Sequence, residues 1–175
     1  MVNAWLRDVD KHIVCESTNL AATNYARHIY NVKAGANIDN GKLVNLDDAA
    51  WVENEYYTMV APTAASRCGL IISVPIGYDE SPAKVTQPCY FYNAKDEIMR
   101  VYDLIRGDKF TISANGITAD DEEAGPQVGN WVVADGYDIV EVDAKPSGKT
   151  FWGEIVEKIV RMDQVFFKIV VRGND

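Results

Sequence analysis

A chain of 175 residues, 47% hydrophobic and 25% charged, is long and apolar enough to build one domain with a real core. Its formal net charge of -9 argues against nucleic acid and against an anionic membrane surface, since both need clustered Lys and Arg. No apolar run reaches the ~20 residues that cross a bilayer. Trp5 and Leu6 are followed at once by Arg7, Asp8, Asp10 and Lys11, so no signal-peptide apolar region forms.

Cys15, Cys68 and Cys89 are odd in number, which suits reduced, half-buried thiols in a protein made in a cytoplasm better than a disulfide framework.

Residues 1–35 differ from the rest. They are polar, rich in Asn, Thr, Ala and Ser, with scattered apolar positions. Two readings are open: an extended N-terminal arm ordered against a partner, or a short helix over residues 20–27 capped by Ser17, Thr18 and Asn19. Four apolar residues in this segment, Trp5, Tyr25, Ile29 and Tyr30, are spaced like anchors that insert into a partner. Folding back onto the domain is the competing account of them.

From Gly35 onward the chain reads as strand, turn, strand. Asn40-Gly41 between Ile38 and Leu43 is a hairpin signal. Residues 47–50 make a polar connection. Tyr56, Tyr57, Met59 and Val60 form a strand that Pro62 ends. Residues 69–74 form a continuous apolar run between Gly69 and Pro75, as in a strand buried on both faces. Residues 77–88 are a loop, and residues 89–92 a further strand.

The centre of the pattern is residues 97–105, the Gly107-Asp108 turn, and residues 109–113, where Phe110 and Ile112 alternate with Lys109, Thr111 and Ser113. This predicts a hairpin. An acidic loop with Asp120, Asp121, Glu122 and Glu123 follows. Trp131 to Ala134 and Tyr137 to Val142 then predict a second hairpin about Asp135-Gly136. Residues 151–160 fit helical spacing and strand composition alike. Their Ile and Val content, and the alternation of Val165, Phe167, Ile169 and Val171, favour a closing hairpin at Met162-Asp163.

The expected fold is all-β and mainly antiparallel: a small β-barrel or sandwich over residues 36–175, with residues 1–35 as an extended arm or carrying one short helix.

Motifs for chemistry are weak. Arg106-Gly107-Asp108 spells an adhesion tripeptide but doubles as a turn. The acidic run lacks the alternating ligands and bending Gly of a calcium loop. His12 and Cys15 have zinc-like spacing without paired partners. The same residues as a Cys–His pair, and a carboxylate pair for glycoside hydrolysis, have no positive support. No catalytic residue, metal ligand or cofactor motif is assigned.

Two stretches carry a family resemblance. Residues 29–41, Ile-Tyr-Asn-Val-Lys-Ala-Gly-Ala-Asn-Ile-Asp-Asn-Gly, and the pairing of Met99-Arg100-Val101-Tyr102 with Gly107-Asp108-Lys109-Phe110-Thr111-Ile112, resemble tailed-phage head decoration (capsid cement) proteins. The similarity covers about the middle two-thirds of the chain and is one of pattern, with no catalytic residue to transfer. It implies a structural virion protein on the outer capsid surface, which bridges copies of the major capsid protein and self-associates as a trimer on the lattice. A tail or head-tail connector barrel, a small sugar-binding or hydrolase module, and a host-surface adhesin are the alternatives.

Overall fold

A computed structural model describes residues 12–24, 28–52, 55–74, 88–121, 123–161 and 164–175. The anchor candidates Trp5 and Tyr25 lie outside them. With 48% strand and 7% helix, the protein is all-β.

In chain order the strands are β1 (Cys15–Asn19), β2 (Ile29–Lys33), β3 (Leu43–Asn45), β4 (Trp51–Val52), β5 (Tyr56–Thr58), β6 (Cys68–Ile71) and β7 (Ile98–Asp103). They continue as β8 (Lys109–Ser113), β9 (Ile117–Thr118), β10 (Trp131–Asp135), β11 (Asp138–Val142), β12 (Phe151–Arg161) and β13 (Gln164–Asn174). One short helix, α1 (Ala21–Asn24), follows β1. The strands form a seven-stranded sheet, β1-β8-β13-β12-β10-β11-β9, and a six-stranded sheet, β3-β6-β7-β2-β5-β4.

The largest core joins the two sheets. Phe110, Ile112, Val132, Ile139, Phe151, Ile155, Phe167 and Ile169 meet Leu43, Cys68, Leu70 and Leu104. A second core lies on the other face of the six-stranded sheet, where Val32, Val44, Ile71, Met99 and Val101 gather Ala34 and Ile38. Hence β6 is buried along its whole length, as its unbroken apolar run predicts. Gly69 is needed there, because a Cβ would lie 2.4 Å from Val101 Cγ1.

The closing hairpin forms: β12 pairs with β13 from Phe151↔Asn174 to Arg161↔Gln164. Composition wins over helical spacing because alternate residues of β12, Phe151 and Ile155 among them, reach a core that a lone helix here would not fill. The hairpin β10–β11 also forms, closed by a two-residue turn with Gly136 at φ 55°.

Three expectations are corrected. First, β7 and β8 are consecutive but do not pair. β7 belongs to the six-stranded sheet and β8 to the seven-stranded one. The Arg106-Gly107 turn, with Gly107 at φ 100°, carries the chain from one sheet to the other. Asp108 fixes that corner: its carboxylate is 3% exposed and accepts the N–H groups of Ile105 (2.9 Å) and Ala21 (2.8 Å). Second, the flanks of Asn40-Gly41 go to different partners, Ile38 bridging to Asn93 and Leu43 pairing with Leu70. Third, residues 88–90 form a 3-10 turn rather than a strand. Pro88 has no N–H to donate to a ladder, and Cys89 is buried against Val14 and Phe166.

The division at Gly35 does not appear among the described residues. Residues 12–24 and 28–35 supply β1, α1 and β2, and bury Ile13, Leu20, Ala22, Val32 and Ala34. The helix starts where Asp108 caps the Ala21 N–H.

All three cysteines are buried, and none forms a disulfide. Burial pushes Cys15 far above its ordinary value, and pushes Cys68 up to about 12 from 9.0, with the Asp47 carboxylate adding to it. In the unfolded chain these thiols ionise from about pH 9, while the fold holds them protonated. Stability is therefore full below pH 9 and falls as pH rises toward 12. Urea midpoints measured from pH 7 to 11 should decline above pH 9. Labelling by a thiol reagent at pH 8 should require unfolding.

Candidate partner-binding surface

The six-stranded sheet extends past the core it shares with its partner. In β2, Ile29, Asn31 and Lys33 lie opposite Tyr102, Arg100 and Ile98 of β7, so these six side chains share one face. At one end of that face Tyr102 packs against the main core. Beyond it Ile29 is 45% exposed and Ile98 51% exposed. Lys33 lies beside them, its Nζ 3.4 Å from Asp96 and 5.6 Å from the Tyr56 ring centroid. Asn31, Lys33, Glu55, Tyr56, Asp96 and Ile98 line a shallow hollow here. The result is two exposed aliphatic groups in a polar rim, carried on paired strands.

Ile29 and Tyr30 are neighbours in a strand and therefore point to opposite faces. Ile29 stands on the open face. Tyr30 packs against the second core within an aromatic row: it stacks on His28 (5.8 Å between centroids) and meets Tyr57 edge-on (5.2 Å), which in turn meets Trp51 (4.4 Å). Burial, then the Asp103 carboxylate, raises the Tyr30 phenol, opposed by the Arg67 charge. Arg67 also bridges Asp103 (3.7 Å) and Asp47 (3.7 Å). Tyr30 is thus a half-buried structural residue, whereas Ile29 is available for contact. Sequence reasoning missed Ile98 and Trp51, the latter 49% exposed. Exposure of an apolar strand residue depends on which neighbour covers it, and sequence does not carry that.

The other candidate groups are engaged by the fold. The Asp108 carboxylate is held by two backbone N–H groups, so the Arg106-Gly107-Asp108 tripeptide cannot present it to a receptor. His12 Nδ1 lies 2.8 Å from Asp39 Oδ1, and its ring stacks on Tyr92 at 5.0 Å. Cys15 belongs to the main core. In the acidic loop, Asp121 Oδ1 accepts the N–H groups of Glu123 and Ala124. Beneath the loop the buried Glu141 accepts from Gln127 N (2.7 Å), Asn130 Nδ2 (2.9 Å) and Asp120 N (3.3 Å). Among the described residues no group of three His, Cys, Asp or Glu could hold a metal ion, and no helix is long and apolar enough to cross a membrane.

Comparison of the chain with protein-family models, curated proteins and solved structures finds no match.

Proposed function

We propose that this chain is a structural virion protein that binds the outer surface of a phage capsid, bridges neighbouring subunits and so stabilises the shell, with the major capsid protein as partner. The observation that supports this reading is the open face of the six-stranded sheet, with Ile29 and Ile98 exposed beside Lys33 and Arg100. An aliphatic centre with a polar rim is the anatomy of a protein contact. The face rests on strands packed against two cores, so docking orders little of the protein. Repeated over a lattice, even a weak contact of this kind gains by avidity. The buried carboxylates Asp108 and Glu141 are saturated by donors of the fold itself. That favours a structural role over a hydrolytic one.

The test is co-sedimentation of the purified protein with undecorated, expanded capsids, followed by cryo-electron microscopy of the pellet. Ordered density at symmetry-related sites, with Ile29 and Ile98 against the shell, is expected. Ile29→Asp together with Ile98→Asp should weaken binding at least ~10-fold, a loss of about 1.4 kcal/mol, and leave the melting temperature unchanged. Wild-type protein left in the supernatant would refute the proposal. A stable ring there would point to a tail or connector protein instead.

A further inference from the structure

The charges of this acidic chain are unevenly placed. Where Phe151 pairs with Asn174, at one end of the seven-stranded sheet, a groove is lined by Arg106, Lys149, Trp152, Arg172 and Asp175. Lys145 lies over the Trp152 ring, its Nζ 5.1 Å from the centroid. Arg172 is paired with Glu154 (2.7 Å). Among the described residues no carboxylate is ion-paired with Arg106, Lys149 or Lys145. Arg106, Lys149 and Arg172 outnumber the one acidic side chain of the lining, Asp175, so the groove is cationic on balance in a chain whose net charge is -9.

The acidic loop lies farther along the same sheet. It docks on β12 at Ile155, where Gly129 N donates to Ile155 O (2.8 Å) and Ile155 N donates to Asn130 O (2.9 Å). Its Asp120, Asp121 and Glu123 are exposed. Glu141 clamps the loop from below. Thr150, at the groove, is five residues from Ile155, roughly 16 Å at ~3.3 Å per strand residue. No loop residue lines the groove, so one copy's loop does not fill its own groove.

We propose that the groove receives the acidic loop, through Asp120, Asp121 and Glu123, of a second copy of this chain. Charge complementarity selects that occupant: the loop gathers exposed carboxylates, and the groove offers Arg106 and Lys149, which pair with no carboxylate among the described residues. Trp152 adds flat apolar surface beside the cations, a combination common in contact centres. Because Glu141 already holds the loop, little conformational freedom is lost on docking. Made reciprocally between two copies, loop-to-groove contact closes a two-fold dimer; made once per pair, it is heterologous and builds a ring or an open chain. It needs no capsid and stands apart from the capsid reading.

Sedimentation velocity of the full chain over a concentration series tests it. Self-association is expected at low salt, and its loss at ~1 M salt, where the screening length is about 3 Å. Arg106→Glu with Lys149→Glu, and separately Asp120→Lys with Glu123→Lys, should each weaken association at least tenfold and leave the melting temperature unchanged. Mixing the two variants should restore association, because one copy's native loop meets the other's native groove. A wild-type chain that stays monomeric at low salt overturns the proposal, as does association that both variants retain. If the wild type is monomeric and only the groove variant fails to co-sediment with capsids, the groove belongs to an acidic partner surface and the self-contact is wrong.

Discussion

A chain shortened by residues 1–35 is expected to lose cooperative unfolding. Strand β2 sits inside the six-stranded sheet between β7 and β5, and β5 and β4 reach that sheet only through it. Without β2 they have no ladder to join. The same deletion removes Ile13, Cys15 and Leu20 from the main core, and Val32 and Ala34 from the second. Each fully buried aliphatic side chain contributes about 1.5–3 kcal/mol. Losing several exceeds much of the 5–15 kcal/mol that stabilises a typical domain. Far-UV circular dichroism with a thermal melt decides the matter. A sigmoidal transition from a β-rich spectrum in residues 36–175 alone would show that the segment is a separable arm after all.

The second large effect is expected at Asn174. Its side chain is 3% exposed. Oδ1 accepts the Cys68 N–H (2.8 Å), and Nδ2 donates to the carbonyls of Cys68 (2.8 Å) and Leu104 (2.6 Å). The amide thus acts as one more rung of a ladder, tying the end of β13 in one sheet to β6 in the other. Asn174→Ala leaves one donor and two acceptors buried without partners. At about 1–3 kcal/mol for each unsatisfied group, and allowing for water entry, the loss should be about 3–5 kcal/mol. For a chain of this size that lowers the melting temperature by roughly 10 °C. Asn174→Asp keeps the acceptor but turns a carboxylate oxygen toward two carbonyls, so it should be at least as damaging at neutral pH. A calorimetric melt of either variant within a degree or two of wild type would rule out this account.

Asn40 does the same elsewhere. Its amide exchanges both bonds with Ser73, accepting from the N–H (2.9 Å) and donating to the C=O (3.0 Å). Such ties were illegible in the sequence. An asparagine in a turn-rich stretch looks like turn chemistry, and the partner of Asn174 is 106 residues away. What could be read was local. The apolar run of β6, the alternation in β8 and β13, and the Gly136 turn follow from period and backbone freedom. Pairing did not follow. The alternation of residues 109–113 shows that Phe110 and Ile112 face one way, but not that their neighbours are β1 and β13 instead of β7. At the candidate surface, Ile29 was legible as an apolar residue in a polar stretch. Ile98 was not, because it sits in an ordinary strand and stands out only where the opposing sheet ends.

The place of β8 has a mechanical consequence. Strands β1 and β13 flank it, and each runs antiparallel to it, so they run parallel to one another. Tension applied at His12 and at Asp175 would drag these strands along β8 in opposite directions. The rungs, which lie across the strands, would then be loaded together in shear instead of opening one after another like a zipper. In this geometry stretching meets its greatest resistance at the first step, and the fold yields at once or not at all.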